Sequence, residues 1–118
     1  MVALAALAAG CGEDPAARLR ALGSWAATSA MLGRAWSEHE TPRAYTLRAL
    51  GRARREIGQA RRDLTVAPAV PLVSHVEAAT RELEAAVGAD DRRAARAVAE
   101  RLADDARALA DLAVRSAS

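Results

Sequence analysis

Two histidines are the side chains whose type and setting first suggest chemistry. His39 lies between two carboxylates in Glu38-His39-Glu40, and His75 follows a hydroxyl in Ser74-His75. A histidine flanked by acids has the donor types of a metal site. Neighbours on a helix, however, point in different directions, so the remaining ligands would have to come from other elements. A histidine that activates a nucleophile needs that nucleophile and an orienting carboxylate within hydrogen-bond reach, and adjacent helical residues do not supply this geometry by themselves. The chain contains no glycine-rich phosphate loop, no GxSxG, no HExxH and none of the paired Glu/His motifs of di-iron bundles. Its single cysteine, Cys11, excludes an internal disulfide and any CxxC metal site. The sequence therefore assigns no catalytic residue, no cofactor and no metal ligand. His39 reads as an exposed helix terminus and His75 as a boundary residue. An enzyme reading would rest on a metal held by His39, His75 and nearby glutamates.

The arginines carry more information. All 17 basic residues are Arg, there is no Lys, and the net charge is +2. The charge is uneven, with an excess of arginine before Pro68 and a mild excess of acid after it. Arg48, Arg52, Arg55 and Arg62 recur at helical spacing opposite an apolar stripe, which makes them a candidate face for anionic contacts. Phosphate backbones, anionic lipid headgroups and cell-envelope polymers share that chemistry. Nucleic acid is disfavoured because acids are interspersed and the chain has only three aromatic residues for base stacking, Trp25, Trp36 and Tyr45. The absence of Lys points to codon bias as the source of much of the arginine, which leaves a solvated face as the plainer reading.

The elements that must position these residues follow from composition and period. The chain has 118 residues, enough for one domain, and 33 of them are Ala. A content of 52% hydrophobic and 3% aromatic residues disfavours both disorder and a β-sandwich. Asp14-Pro15 predicts a capped helix start, and Leu19, Leu22, Trp25, Ala26, Ser29, Leu32 and Trp36 form one stripe of a helix over 15–38. Thr41-Pro42 repeats the device for a helix over 42–64, with Leu47, Leu50, Ala53, Ile57, Ala60 and Leu64 inward. Pro68 and Pro71 predict an extended linker. A third helix over 71–87 presents Leu72, Val76, Ala79, Leu83 and Val87 and stops at Gly88. Asp90 is expected to cap a fourth over 91–115, which presents Ala95, Val98, Leu102, Ala106 and Leu109. Short connections between four amphipathic helices predict an all-α, antiparallel four-helix bundle of up-down-up-down topology over 15–118. Gly23, Gly33, Gly51 and Gly58 suggest close packing between the first two helices, with Trp25 and Trp36 as the largest core side chains.

The N-terminal residues differ in character. Val2 to Ala9 is entirely apolar and too short to span a bilayer, but it fits the apolar region of a signal peptide. Leu7-Ala8-Ala9-Gly10-Cys11 places small residues directly before the only cysteine, and Gly12-Glu13-Asp14 is abruptly polar. This segment resembles the lipobox of bacterial lipoproteins, over about the first twelve residues. The resemblance implies cleavage before Cys11 and acylation of its sulfur, which then anchors the protein in a membrane. Residues 1–10 would be a signal-peptide remnant, and 11–14 the acylated Cys with a short tether.

The reading of the sequence is thus a small bacterial cell-envelope lipoprotein, facing the periplasm or the exterior. It would act as a non-catalytic helical binding or structural module, with another envelope protein or a second copy of itself as partner. The alternative is a cytoplasmic helical interaction module that pairs as a homodimer and keeps its first dozen residues.

Overall fold

The computed structural model describes residues 14–117, and these form four α-helices joined by short turns. Helix α1 is Pro15–Ser37, α2 Arg43–Arg62, α3 Val70–Gly88 and α4 Arg92–Ala117, with one 3-10 turn at Ala67–Ala69. No strand occurs among the described residues. The described chain measures 52 × 27 × 20 Å.

The start of α1 follows the expected chemistry. The Asp14 carboxylate accepts from the backbone N–H of Ala16 at 3.0 Å and of Ala17 at 3.3 Å, and Pro15 fills the first helical position. The start of α2 is shifted by one residue from the expected one. Pro42 is extended at φ −67°, ψ 150° and stands in the capping position, so Thr41 lies outside it. The Thr41 hydroxyl meets the Thr46 hydroxyl at 3.1 Å instead of capping a backbone N–H. The linker before α3 is tighter than two prolines suggested. Pro68 opens a turn of 3-10 helix, and Pro71 sits in the first turn of α3, where its missing N–H has no intrahelical partner to lose.

Two helix ends close on non-glycine residues in the left-handed region. His39 has φ 64° and Asp90 has φ 57°. Beyond α1, the N–H of Glu40 donates to the carbonyl of Ala35 at 2.8 Å. Beyond α3, the N–H of Asp91 donates to that of Ala86 at 2.9 Å. These are the hydrogen bonds of a Schellman turn, a role usually given to glycine. Gly88 does not perform it, because it is the last residue of α3. The cap of α4 is correspondingly Asp91 rather than Asp90, its carboxylate accepting from the Ala94 N–H at 3.0 Å.

The core takes one stripe from each helix. Leu19, Leu22, Trp36, Leu50, Ile57, Val76, Leu83, Val87, Leu102 and Leu109 are buried, as their period requires, and Val73 joins them from outside the expected α3 stripe. Trp36 is the largest core side chain, whereas Trp25 is only partly buried at the edge. The most extensive helix seam is α1 against α4. The remaining seams join α1 to α2, α2 to α3 and α3 to α4, and α1 also touches α3 across the bundle.

The α1–α4 seam is close because its residues are small: Ala26 and Ala30 from α1, Ala95, Ala99 and Ala113 from α4. Gly23 and Gly33 do not mark an approach between α1 and α2: Gly23 faces α4, and Gly33 faces both α3 and α4. A Cβ at Gly33 would stand 2.8 Å from Leu83 Cδ2 and 3.2 Å from Ala99 Cβ. Gly51 and Gly58 instead leave room beside α3, where Glu84 and Glu77 reach toward α2.

Candidate functional site

Ion pairs divide the arginines into two groups, and the division locates the charged surface. On the α2–α3 seam, Arg54 Nε lies 2.6 Å from Glu84 Oε1 and Arg61 Nε lies 2.6 Å from Glu77 Oε1. Arg101 meets Glu82 at 2.9 Å across α3 and α4, and Arg18 meets Asp63 at 3.4 Å between the start of α1 and the end of α2. Arg20, Arg34, Arg81, Arg92, Arg96 and Arg107 also find carboxylates. Arg48, Arg52, Arg55 and Arg62 have no carboxylate of a described residue within 4.0 Å. All four are exposed on one side of α2. Arg62 donates to the Gln59 side chain at 2.8 Å, and Arg52 lies over the Trp25 ring of α1, 5.8 Å from its centroid. The four arginines singled out by sequence are therefore brought together along a single helix face without a direct ion pair, although Arg55 and Arg62 lie near the Glu84 and Glu77 carboxylates of α3. Arg43, Arg93 and Arg115 likewise have no carboxylate of a described residue within 4.0 Å.

A second feature was not expected from the sequence. Along the outside of the α1–α4 seam runs an open groove with a volume of about 1220 Å³. Its floor is Gly23, Ala27, Ala30, Ala103, Ala106 and Ala110, and Met31 and Val114 stand at its edges, 65% and 70% exposed. Arg20, Arg34, Arg96 and Arg107 rim it together with Glu100 and Asp104. The signal was present in α1, where Ser24, Ala27 and Met31 recur at helical spacing beside the core stripe. Small residues there read as packing, and only the position of α4 shows that they line an opening.

The histidines are not brought together. His39 sits in the turn between α1 and α2, beside Glu40, Arg43 and Asp90 in a smaller polar depression of about 490 Å³. His75 sits in α3 one turn after its start, at the opposite end of the chain's long axis, and its Nδ1 lies 3.0 Å from Asp105 Oδ2 of α4. The structure gives His75 an interhelical carboxylate partner that sequence spacing could not reveal. No group of three or more His, Cys, Asp or Glu side chains converges on a common point among the described residues.

Cys11, the signal-like segment 1–10 and most of the tether 11–14 lie outside the described residues. No helix among the described residues is long and apolar enough to cross a membrane. Comparison of the chain with family models, with curated proteins and with solved structures finds no match in any of the three.

Proposed function

We propose that this chain is a small cell-envelope lipoprotein, tethered through an acylated Cys11 and acting as a non-catalytic helical binding module. The observation that carries the reading is the position of the only cysteine, directly after the apolar run Val2–Gly10 and directly before a polar segment that leads into the Asp14 cap. The tether is then three residues long, from Gly12 to Asp14, before α1 begins at Pro15. In this reading the four helices form a closed antiparallel bundle of up-down-up-down order. Support comes from Arg54–Glu84 and Arg61–Glu77 on one seam, where positions rise on α2 as they fall on α3. Metabolic labelling with a radioactive fatty acid tests the tether. Label is expected on the wild-type chain and none on Cys11→Ala; an unlabelled wild-type chain overturns the reading.

A second reading, a helical module that pairs with another copy of itself, is favoured by the α1–α4 groove. A two-fold interface brings the same patch of both copies together, so the patch must be self-complementary. The groove meets this condition, since its floor is apolar and its rim carries both signs of charge. The α2 arginine face does not, because two such faces repel each other. Sedimentation equilibrium read together with intact mass separates the two readings: a dimer that keeps residues 1–11 unacylated supports the second, and an acylated chain, monomeric or dimeric, supports the first.

A further inference from the structure

We infer that the exposed arginine face of α2 is laid against an anionic membrane surface, with Arg48, Arg52, Arg55 and Arg62 contacting lipid headgroups. The inference rests on the Cys11 tether, which brings the bundle to a membrane but does not by itself choose which side faces it.

Three independent observations select this face. The first is charge without a direct ion pair. Alpha-helix α1 has no acidic residue between Pro15 and Ser37, and α2 has Glu56 alone. The neighbouring carboxylates are already engaged: Asp63 with Arg18, Glu77 with Arg61 and Arg81, Glu84 with Arg54. Glu56 therefore stands as the one acid of α2 itself against five arginines without an ion pair, the four of the stripe and Arg43 at the helix start. The stripe extends over fourteen residues, or about 21 Å of helix, which is long enough to contact several headgroups at once.

The second observation is the company the arginines keep. Two of the three aromatic residues lie with them. Tyr45 is 50% exposed at the head of the stripe, and Trp25 is partly exposed beneath Arg52. Tyr and Trp rings at the edge of a cationic surface suit the headgroup region, where one part of the ring is apolar and the other wet. A surface built only for solubility has no need of them there.

The third is where the chain enters. The Arg18–Asp63 pair places the start of α1 beside the end of α2, next to Arg62. From Cys11 to Pro15 is four residues, a reach of at most about 14 Å. An anchored sulfur thus holds the Arg62 end of the stripe near the surface, and tilting the bundle flat brings Arg55, Arg52 and Arg48 down in turn. With the α2 stripe on the bilayer, the α1–α4 groove, which takes no residue from α2, stays clear of the surface and open to a protein partner.

The test uses the full chain carrying Cys11→Ala, so that no acyl chain contributes. Co-sedimentation is measured with vesicles of pure phosphatidylcholine and with vesicles containing one-third phosphatidylglycerol. Binding is expected to the phosphatidylglycerol vesicles only, with loss in high salt, since headgroup attraction is screened. Each arginine contributes about fivefold near an anionic surface, so Arg48→Gln with Arg55→Gln is expected to weaken binding by roughly 25-fold. Both side chains are exposed, and circular dichroism verifies that the fold is kept. A control double variant on the far side, Arg93→Gln with Arg115→Gln, removes the same charge and is expected to leave binding within about twofold, beyond long-range steering. Equal binding to both vesicle types, no binding to either, or equal losses in the two double variants overturns the proposal. Tighter binding to a short DNA duplex than to the vesicles overturns it in favour of nucleic acid. Intact mass separates this outcome from that of the tether. An acylated wild-type chain whose Cys11→Ala form ignores vesicles keeps the anchor and loses the face. An unacylated chain that still binds phosphatidylglycerol keeps the face and loses the anchor.

Discussion

Arg92, the first residue of α4, reaches across to the end of α1, where it donates a hydrogen bond to the Trp36 carbonyl and lays its guanidinium 4.3 Å over the centroid of the Trp36 ring. One side chain thereby satisfies a carbonyl in the last turn of α1, covers the edge of the largest core residue and fixes the position of α4 against α1. Arg92 was not distinguishable by sequence from the other arginines near it. Its partner is 56 positions away in the chain, and only the fold brings them together.

Replacement of Arg92 by Leu is expected to destabilise the protein by about 1–2 kcal/mol, because a partly buried cation–π contact and a charged hydrogen bond are lost together. Arg93→Leu next to it, with an exposed side chain, is expected to change stability by less than about 0.5 kcal/mol. Urea unfolding followed by circular dichroism measures both. Equal effects would show that the contact contributes nothing.

The left-handed residues at the helix ends make an opposite prediction. Both His39 and Asp90 hold φ near 60°, where a side chain crowds the backbone. His39→Gly is expected to raise stability by roughly 0.5–1 kcal/mol, since relief of the strain exceeds the added entropy of the unfolded chain. A loss of stability in the same urea experiment would indicate that the His39 side chain makes a contact worth more than the strain.

The two glycines of α1 are expected to respond with opposite sign. A Cβ at Gly23 meets Ala106 O and Leu109 Cβ at 3.5 Å, an ordinary contact, so Gly23→Ala gains helix propensity of up to about 1 kcal/mol. A Cβ at Gly33 meets Leu83 Cδ atoms at 2.8 and 2.9 Å and Ala99 Cβ at 3.2 Å, and Leu83 is fully buried, so its side chain must shift within the core. Gly33→Ala is expected to cost about 1–3 kcal/mol through overpacking. Thermal melting of the two variants beside wild type reads the difference, and a stabilised Gly33→Ala would contradict the close approach of α1 to Leu83 of α3.

The groove offers a test of self-association. Met31→Glu replaces an exposed apolar side chain at its edge with a charge that would have to be desolvated in a paired interface. If copies pair through this face, sedimentation equilibrium is expected to show at least a tenfold loss of dimer, the effect of about 1.4 kcal/mol. An unchanged dimer would place the interface elsewhere.

Helix number and the inward stripes were legible in the sequence because both depend on period. Leu50, Ile57, Leu83, Leu102 and Leu109 could hardly be placed elsewhere once the helices were drawn. Helix ends were less legible. Asp90 and Asp91 are the same residue type, and nothing in their order says that the second caps while the first takes the left-handed conformation. Trp25 lies on the same stripe as Trp36, yet it sits at the margin, where its ring meets Arg52 of α2. The arginine face was visible as a spacing, whereas its lack of acidic partners was not. That depended on Glu77 and Glu84 being drawn inward to Arg61 and Arg54. The groove was hidden because alanine reads the same whether it packs against a neighbour or lines an opening.

The central claim is that Cys11 is the anchored first residue of the mature protein. Intact mass and membrane fractionation of the chain, expressed in a bacterial host from its native start beside Cys11→Ala, test it most directly. The account predicts a membrane-bound wild-type protein that has lost residues 1–10 and gained acyl mass, and a Cys11→Ala form that is neither cleaved at that point nor acylated. A soluble wild-type protein that retains residues 1–10 at unmodified mass would contradict it.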